Sequence, residues 1–147
     1  MKRFLLLILL SALSVGGYAQ SPKLQVGAER MELLLPLLEG KRVALMVNQS
    51  SLVGARGTHL VDTLLSQGVK VVRLFVPEHG LRGKVDAGKA VKSEIDEKTQ
   101  LPVVSLYGQR RRPTPEMLED VDLLLFDLQD VGTRFYTYIS SMHYLME

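Results

Sequence analysis

Four apolar runs set the limits on what this chain can fold into. They are Arg42 to Val47, Val69 to Val76, Leu101 to Leu106 and Val121 to Leu128, each short and rich in branched or aromatic residues. A strand with one wet face alternates apolar and polar residues, whereas a run that stays largely apolar is covered on both faces, the condition of a parallel sheet. Between the first two runs, Leu60, Val61, Leu64 and Leu65 recur at helical spacing, with Thr58 placed to cap them and Gly68 to stop them. Strand, helix and strand with short joints make a βαβ unit, whose crossover is right-handed. The expectation is an α/β fold built on a mostly parallel sheet.

The flanking patterns agree. Met31, Leu34, Leu35 and Leu38 give an amphipathic helix over residues 28–38, closed by Gly40. Thr114-Pro115-Glu116 reads as the cap, first-turn proline and first-turn acid of a short helix. A last helix is expected after Val131-Gly132-Thr133-Arg134, with Phe135, Ile139, Met142 and Met146 sharing a face. It runs to Glu147 without a capping residue, so residues 20–147 are expected to be the truncated N-terminal part of a longer domain. Residues 84–100 alternate in charge without apolar periodicity, as a solvated loop or a lid over the sheet edge does.

Residues 1–19 stand apart. Met1-Lys2-Arg3, the apolar stretch Phe4 to Leu13 and the small residues Gly17 and Ala19 have the layout of a signal peptide, and the apolar stretch is too short for a spanning helix. The protein is therefore expected to be exported, periplasmic or extracellular, with no stable membrane anchor after cleavage. The chain has no cysteine, so neither a disulfide framework nor a lipidated cysteine is available. Without Lys2 and Arg3 the 18 basic residues fall to 16, matching the 16 acidic ones, and this balance gives no reason to expect a nucleic-acid partner. Gly54-Ala55-Arg56-Gly57 has the wrong spacing for a phosphate loop.

Chemistry is concentrated where the strands stop. Their exits are Asn48-Gln49-Ser50-Ser51, Pro77-Glu78-His79-Gly80, Tyr107, and Asp127 to Asp130. In a parallel sheet these exits share one edge, the edge at which open α/β sheets bind ligands. Two carboxylate sources, Glu78 and the Asp127/Asp130 pair, suit acid and base work on an acetal. A helix N-terminus after Gly132, with Arg82 and Arg134, offers a place for an anionic group. Plainer readings exist: Asn48 and Gln49 also fit a turn, Asp127 a cap or turn former, and Arg110-Arg111-Arg112 a solvated loop. Glu78 and His79 point apart on an extended backbone, and only His59 and His143 add further histidines, so no metal is expected. Tyr136 and Tyr138 face different sides of the last helix, so at most one reaches the site.

These residues also carry a resemblance. Leu74 to Gly83, Leu101 to Gly108, Pro113 to Leu118 and Phe126 to Ile139 resemble, in order, motifs of the DUF1343 family, over about residues 41–147. That family includes exo-β-N-acetylmuramidases, glycoside hydrolases of peptidoglycan recycling. The resemblance implies a Rossmann-like domain with helices on both faces of its sheet, and a smaller second domain absent from this chain. It implies release of terminal N-acetylmuramic acid from the non-reducing ends of peptidoglycan fragments, with muropeptides or disaccharides as partners and no cofactor. Glu78 is implied as the catalytic acid/base, with Asp130 or Asp127 as the second carboxylate. Arg82 and Arg134 are implied to pair with the lactyl carboxylate, and Asn48, Gln49, His79 and Tyr136 to bind sugar hydroxyls or the acetamido group. The competing reading is a non-catalytic muropeptide-binding protein. An esterase or deacetylase is less well served, because the chain lacks a G-x-S-x-G elbow.

Overall fold

The computed structural model describes residues 24–83, 86 and 93–147, so the expected signal peptide and most of the 84–92 stretch lie outside the described residues. After a short 3-10 turn at Gly27–Glu29 come helix α1 (Met31–Leu38), strand β1 (Val43–Val47), a small hairpin of β2 (Leu52–Val53) and β3 (Thr58–His59), and helix α2 (Leu60–Ser66). Strands β4 (Val71–Val76), β5 (Glu94–Ile95) and β6 (Pro102–Ser105) follow, then a 3-10 turn at Pro115–Met117, strand β7 (Leu123–Asp127) and helix α3 (Tyr138–Met146). The main sheet has the order β5-β6-β4-β1-β7. All its pairings are parallel except β5 against β6.

Strand alternation divides the core between two faces. Val43, Leu45 and Val47 of β1 turn to one side, where they meet Leu38 of α1 and Leu60, Val61 and Leu64 of α2. Ala44 and Met46 turn to the other side, with Phe75, Leu106 and, from α3, Leu145. All five residues of β1 are buried, which explains why its sequence shows no polar alternation. At the entry end of the sheet, Arg42 clamps Asp122 with two side-chain hydrogen bonds of 2.8 and 3.1 Å. These bonds hold the Asp122 carboxyl well below the usual carboxylate range.

The fold departs from the sequence expectations at four places. Helix α1 starts at Met31 rather than residue 28, because Arg30 has a non-helical ψ of 63°. Thr58 does not cap α2: it is paired with Val53 in the hairpin, and the His59 side chain accepts the Val61 N–H instead. The charged 84–100 stretch contributes an edge strand, β5, although nothing in its pattern marks one. The last helix begins at Tyr138, after a turn in which Tyr136 N–H donates to the Thr133 carbonyl at 3.0 Å. Phe135 therefore lies outside the helix and is 92% exposed, and Ile139 and Met146 also face outward. Tyr138 and Ser141 are the buried residues of α3.

Candidate functional site

Register brings the four strand exits level. Met46 of β1 stands opposite both Phe75 of β4 and Phe126 of β7, Val47 stands opposite Asp127, and Val76 stands opposite Ser105 of β6. With neighbouring strands about 4.8 Å apart, β4 and β7 stand about 10 Å from each other across β1, a gap that fits one sugar ring.

At the end of β4 the chain turns at once. The Gly80 N–H donates to the Pro77 carbonyl at 3.2 Å, and His79, third in that turn, has φ 72°, the sign a type II turn requires there. A residue with a side chain holds this conformation at a cost of roughly 1 kcal/mol. The turn puts Glu78 and His79 at its tip. Glu78 Oε1 accepts a hydrogen bond of 2.8 Å from the Tyr107 hydroxyl. That bond, followed by burial and the nearby charge of Glu78, raises the Tyr107 pKa. Glu78 lies two residues past Val76 and Tyr107 two past Ser105, so equal offsets from paired residues bring them together. Counting from the strand ends was the signal that identifies Tyr107.

Farther along, Gly83 has φ 65°, and a Cβ there would stand 3.1 Å from the Gln49 side chain, so the turn after β4 packs directly on the loop after β1. Within that loop Asn48 is 1% exposed. Its Oδ1 accepts from the Ser50 N–H at 2.8 Å and the Ser50 hydroxyl at 2.7 Å, while its Nδ2 lies 3.1 Å from the Tyr138 hydroxyl oxygen. Asn48 is therefore a buried amide whose hydrogen bonds go to the residues beside it. Periodicity alone does not decide between Tyr136 and Tyr138, because the start of the last helix at Tyr138 sets which way each faces. Tyr136 remains at the surface, edge-on to Tyr138 with ring centroids 6.0 Å apart.

The two acidic candidates after β7 separate. Asp127 shares the sheet face of Leu123 and Leu125, where the Ser51 hydroxyl donates to its backbone carbonyl. Burial raises its carboxyl pKa, opposed by a hydrogen bond from Ser51 and by the nearby His59. Asp130 is exposed, and its Oδ1 accepts the Gly132 N–H at 2.7 Å. The Tyr138 phenol has a raised pKa, first through burial and then through Tyr136, Glu78 and Asp130, against the lowering effect of the Asn48 bond. Glu78 and Asp130 therefore both lie within electrostatic reach of one phenol.

The arginines also separate. Arg82 is engaged by Asp96 at 3.1 Å and Asp62 at 3.6 Å. Burial pushes Asp96 up, but hydrogen bonds from Arg82 and Thr99 outweigh it and hold the carboxyl below its usual range. Arg82 and Gln49 line an open hollow of about 440 Å³ that also borders His59, Asp62, Arg56 and Lys98. Arg134 is exposed in the turn before α3 and makes no ion pair among the described residues. No helix N-terminus follows Gly132, since α3 starts six residues later at Tyr138, so the anion site expected there is not formed. Replacing Arg82 with Ala leaves Asp62 with Lys98 and Asp96 with Thr99 as their remaining partners, and urea unfolding is expected to show a loss of about 1 kcal/mol. An unchanged midpoint would remove the network from any role in stability.

His59 supports the β1 exit from beneath. One ring nitrogen, Nε2, lies 2.9 Å from the Asn48 carbonyl, and the other accepts the Val61 N–H at 3.3 Å. A carbonyl only accepts and a backbone N–H only donates, so the ring is the neutral Nε2–H tautomer. Burial lowers its pKa, more than the Asn48 bond raises it. The unfolded chain takes up this proton near pH 6.5, so stability is full above that pH and is lost as pH falls below it. Unfolding free energies from urea titration are expected to drop from pH 7 to pH 5 by up to about 1.4 kcal/mol per pH unit, with a shallower slope in His59→Asn. Identical slopes in the two proteins would contradict a buried neutral His59.

Comparison with known proteins agrees with this fold. A family model described as exo-β-N-acetylmuramidase NamZ, N-terminal, matches residues 43–147. Peptidoglycan β-N-acetylmuramidase NamZ of Bacillus subtilis (strain 168) is 51% identical over 134 residues, covering 88% of this chain and 31% of that protein. Two crystal structures of DUF1343 family proteins from Bacteroides fragilis NCTC 9343 match with TM-scores of 0.67 and 0.65 at 41% and 46% identity. These matches cover 82% and 76% of this chain, and 30% and 27% of those chains. The chain thus spans less than a third of the length of the curated relative.

Proposed function

The chain belongs to the exo-β-N-acetylmuramidase NamZ family, over its N-terminal part, and on that premise we propose that it carries the acid-bearing part of a glycosidase. The reaction is release of terminal N-acetylmuramic acid from the non-reducing ends of peptidoglycan fragments. One observation carries the reading: the level exits of β4 and β7 carry Glu78, fixed by the Tyr107 hydroxyl, and Asp130 on either side of β1. Paired carboxyl groups across a sugar-sized gap are what acetal hydrolysis requires.

In this account Glu78 gives its proton to the glycosidic oxygen as the bond to the anomeric carbon breaks, so the leaving sugar departs neutral. Ionised Asp130 stabilises the positive charge growing on the ring. Water then adds at the anomeric carbon, and its proton restores the acid form of Glu78. Asp127, turned toward Ser51 and His59, shapes the exit of β7 rather than facing the sugar. Arg134 is better suited to the lactyl carboxylate than Arg82, whose charge is committed to Asp62 and Asp96. Gln49, His79 and Tyr136 are the remaining candidates for sugar hydroxyls. The pattern of residues 1–19 supports export, which takes the protein to its polymer.

The reading is tested by incubating the full-length gene product with disaccharides that end in N-acetylmuramic acid. Free N-acetylmuramic acid is the expected product. Calorimetric binding with every disaccharide recovered intact would make this a binding protein and overturn the proposal.

A further inference from the structure

The hydrogen-bond partners of Asn48 can be assigned one by one. Its Oδ1 accepts from the backbone N–H of Ser50, a group that only donates, so that end of the amide is the carbonyl and the other end is the NH2. This NH2 lies 3.1 Å from the Tyr138 hydroxyl oxygen. An amide nitrogen has no acceptor lone pair, so Asn48 donates and Tyr138 accepts. The hydroxyl hydrogen of Tyr138 is thereby turned away from Asn48, and no acceptor for it is found among the described residues. Burial and the nearby acids raise the phenol pKa, which keeps that hydrogen in place at neutral pH. Tyr138 is only 9% exposed, so its donor is held in one direction by packing as well as by Asn48.

We propose that Tyr138 donates this hydrogen bond to an uncharged oxygen of the bound sugar, and that Asn48 is the positioning residue that aims it. The inference rests on the glycosidase reading. A neutral acceptor of an N-acetylated sugar, its acetamido carbonyl or a ring hydroxyl, fits the place, because the negative charge of nearby Asp130 disfavours an anion there. Ser50 completes the arrangement: its hydroxyl donates to Asn48 Oδ1 and accepts the Gln129 N–H at 3.3 Å, tying the orientation of the amide to the exit of β7.

Two variants test this in different ways. Tyr138→Phe removes the donor and keeps the ring. Asn48→Asp puts a carboxylate oxygen where the amide nitrogen was, so that Tyr138 donates to it and the hydrogen is taken from the sugar. The measurement is calorimetric titration of the full-length protein with N-acetylmuramic acid, beside kcat/KM on a chromogenic β-N-acetylmuramide. Each variant is expected to bind about 10-fold more weakly and to lose roughly 10- to 100-fold in kcat/KM; Tyr138→Phe should melt close to wild type, and Asn48→Asp lower, because it buries a carboxylate at a 1% exposed position. The double variant is expected to lose no more than the worse single one, because both remove the same bond. If one variant does not fold, the other gives the answer alone. Wild-type affinity in Tyr138→Phe, or losses that multiply in the double variant, would overturn the assignment. Wild-type protein that binds the sugar without turnover would overturn the glycosidase reading instead, and the titrations would still decide the role of Tyr138.

Discussion

Glu78→Gln in the full-length protein is expected to lower turnover of a chromogenic β-N-acetylmuramide by about 10²- to 10⁴-fold while leaving the fold intact. The amide of glutamine keeps an oxygen that accepts the Tyr107 hydroxyl, so the hydrogen bond of 2.8 Å that fixes Glu78 has a direct replacement. It has no acid proton to give. Binding of N-acetylmuramic acid should therefore change little, and the loss should fall on kcat rather than KM. A variant that turns over at the wild-type rate would show that another group supplies the proton.

The second large effect is one of stability. Phe75→Ala is expected to cost about 3–5 kcal/mol, because Phe75 is completely buried in β4, against Met46 of β1 and Val104 of β6. Thermal unfolding should move down by roughly 10 °C. Phe75 lies three residues before Glu78 on the same chain segment, so activity should vanish with the folded population on heating. Below the transition kcat should stay near wild type, the opposite signature to Glu78→Gln. A loss under 1 kcal/mol would mean that this face of the sheet collapses around the missing ring.

The two variants act on parts of the molecule that differed in how readily the sequence disclosed them. Phe75 belongs to a run whose apolar character follows from being covered on both faces, and such runs identified all four parallel strands. Convergence of their exits followed from topology alone. By contrast, β5 is two exposed residues in a charged stretch, and a strand that short has no periodicity to detect. Periodicity likewise groups Ile139 and Met146 on one face of a helix without saying whether that face is covered, and here it is outward.

Side-chain direction was hardest to anticipate. Arg82 stands beside Glu78 and His79 in sequence, yet its charge goes to Asp62 and Asp96, partners from a helix and a distant loop. The sequence leaves Asn48 open between a ligand contact and a turn former, because neither its burial nor its bonds to Ser50 and Tyr138 are written in its spacing. Tyr138 was hidden because a shift of a few residues in where α3 begins rotates every later side chain around the helix axis.

A crystal structure of full-length Glu78→Gln with a disaccharide ending in N-acetylmuramic acid tests the central claim most directly. The account predicts the muramic acid ring between residue 78 and Asp130, the glycosidic oxygen within hydrogen-bond reach of the residue 78 side chain, and the Tyr138 hydroxyl on a sugar oxygen. A sugar bound away from the level ends of β4, β1 and β7 would contradict it.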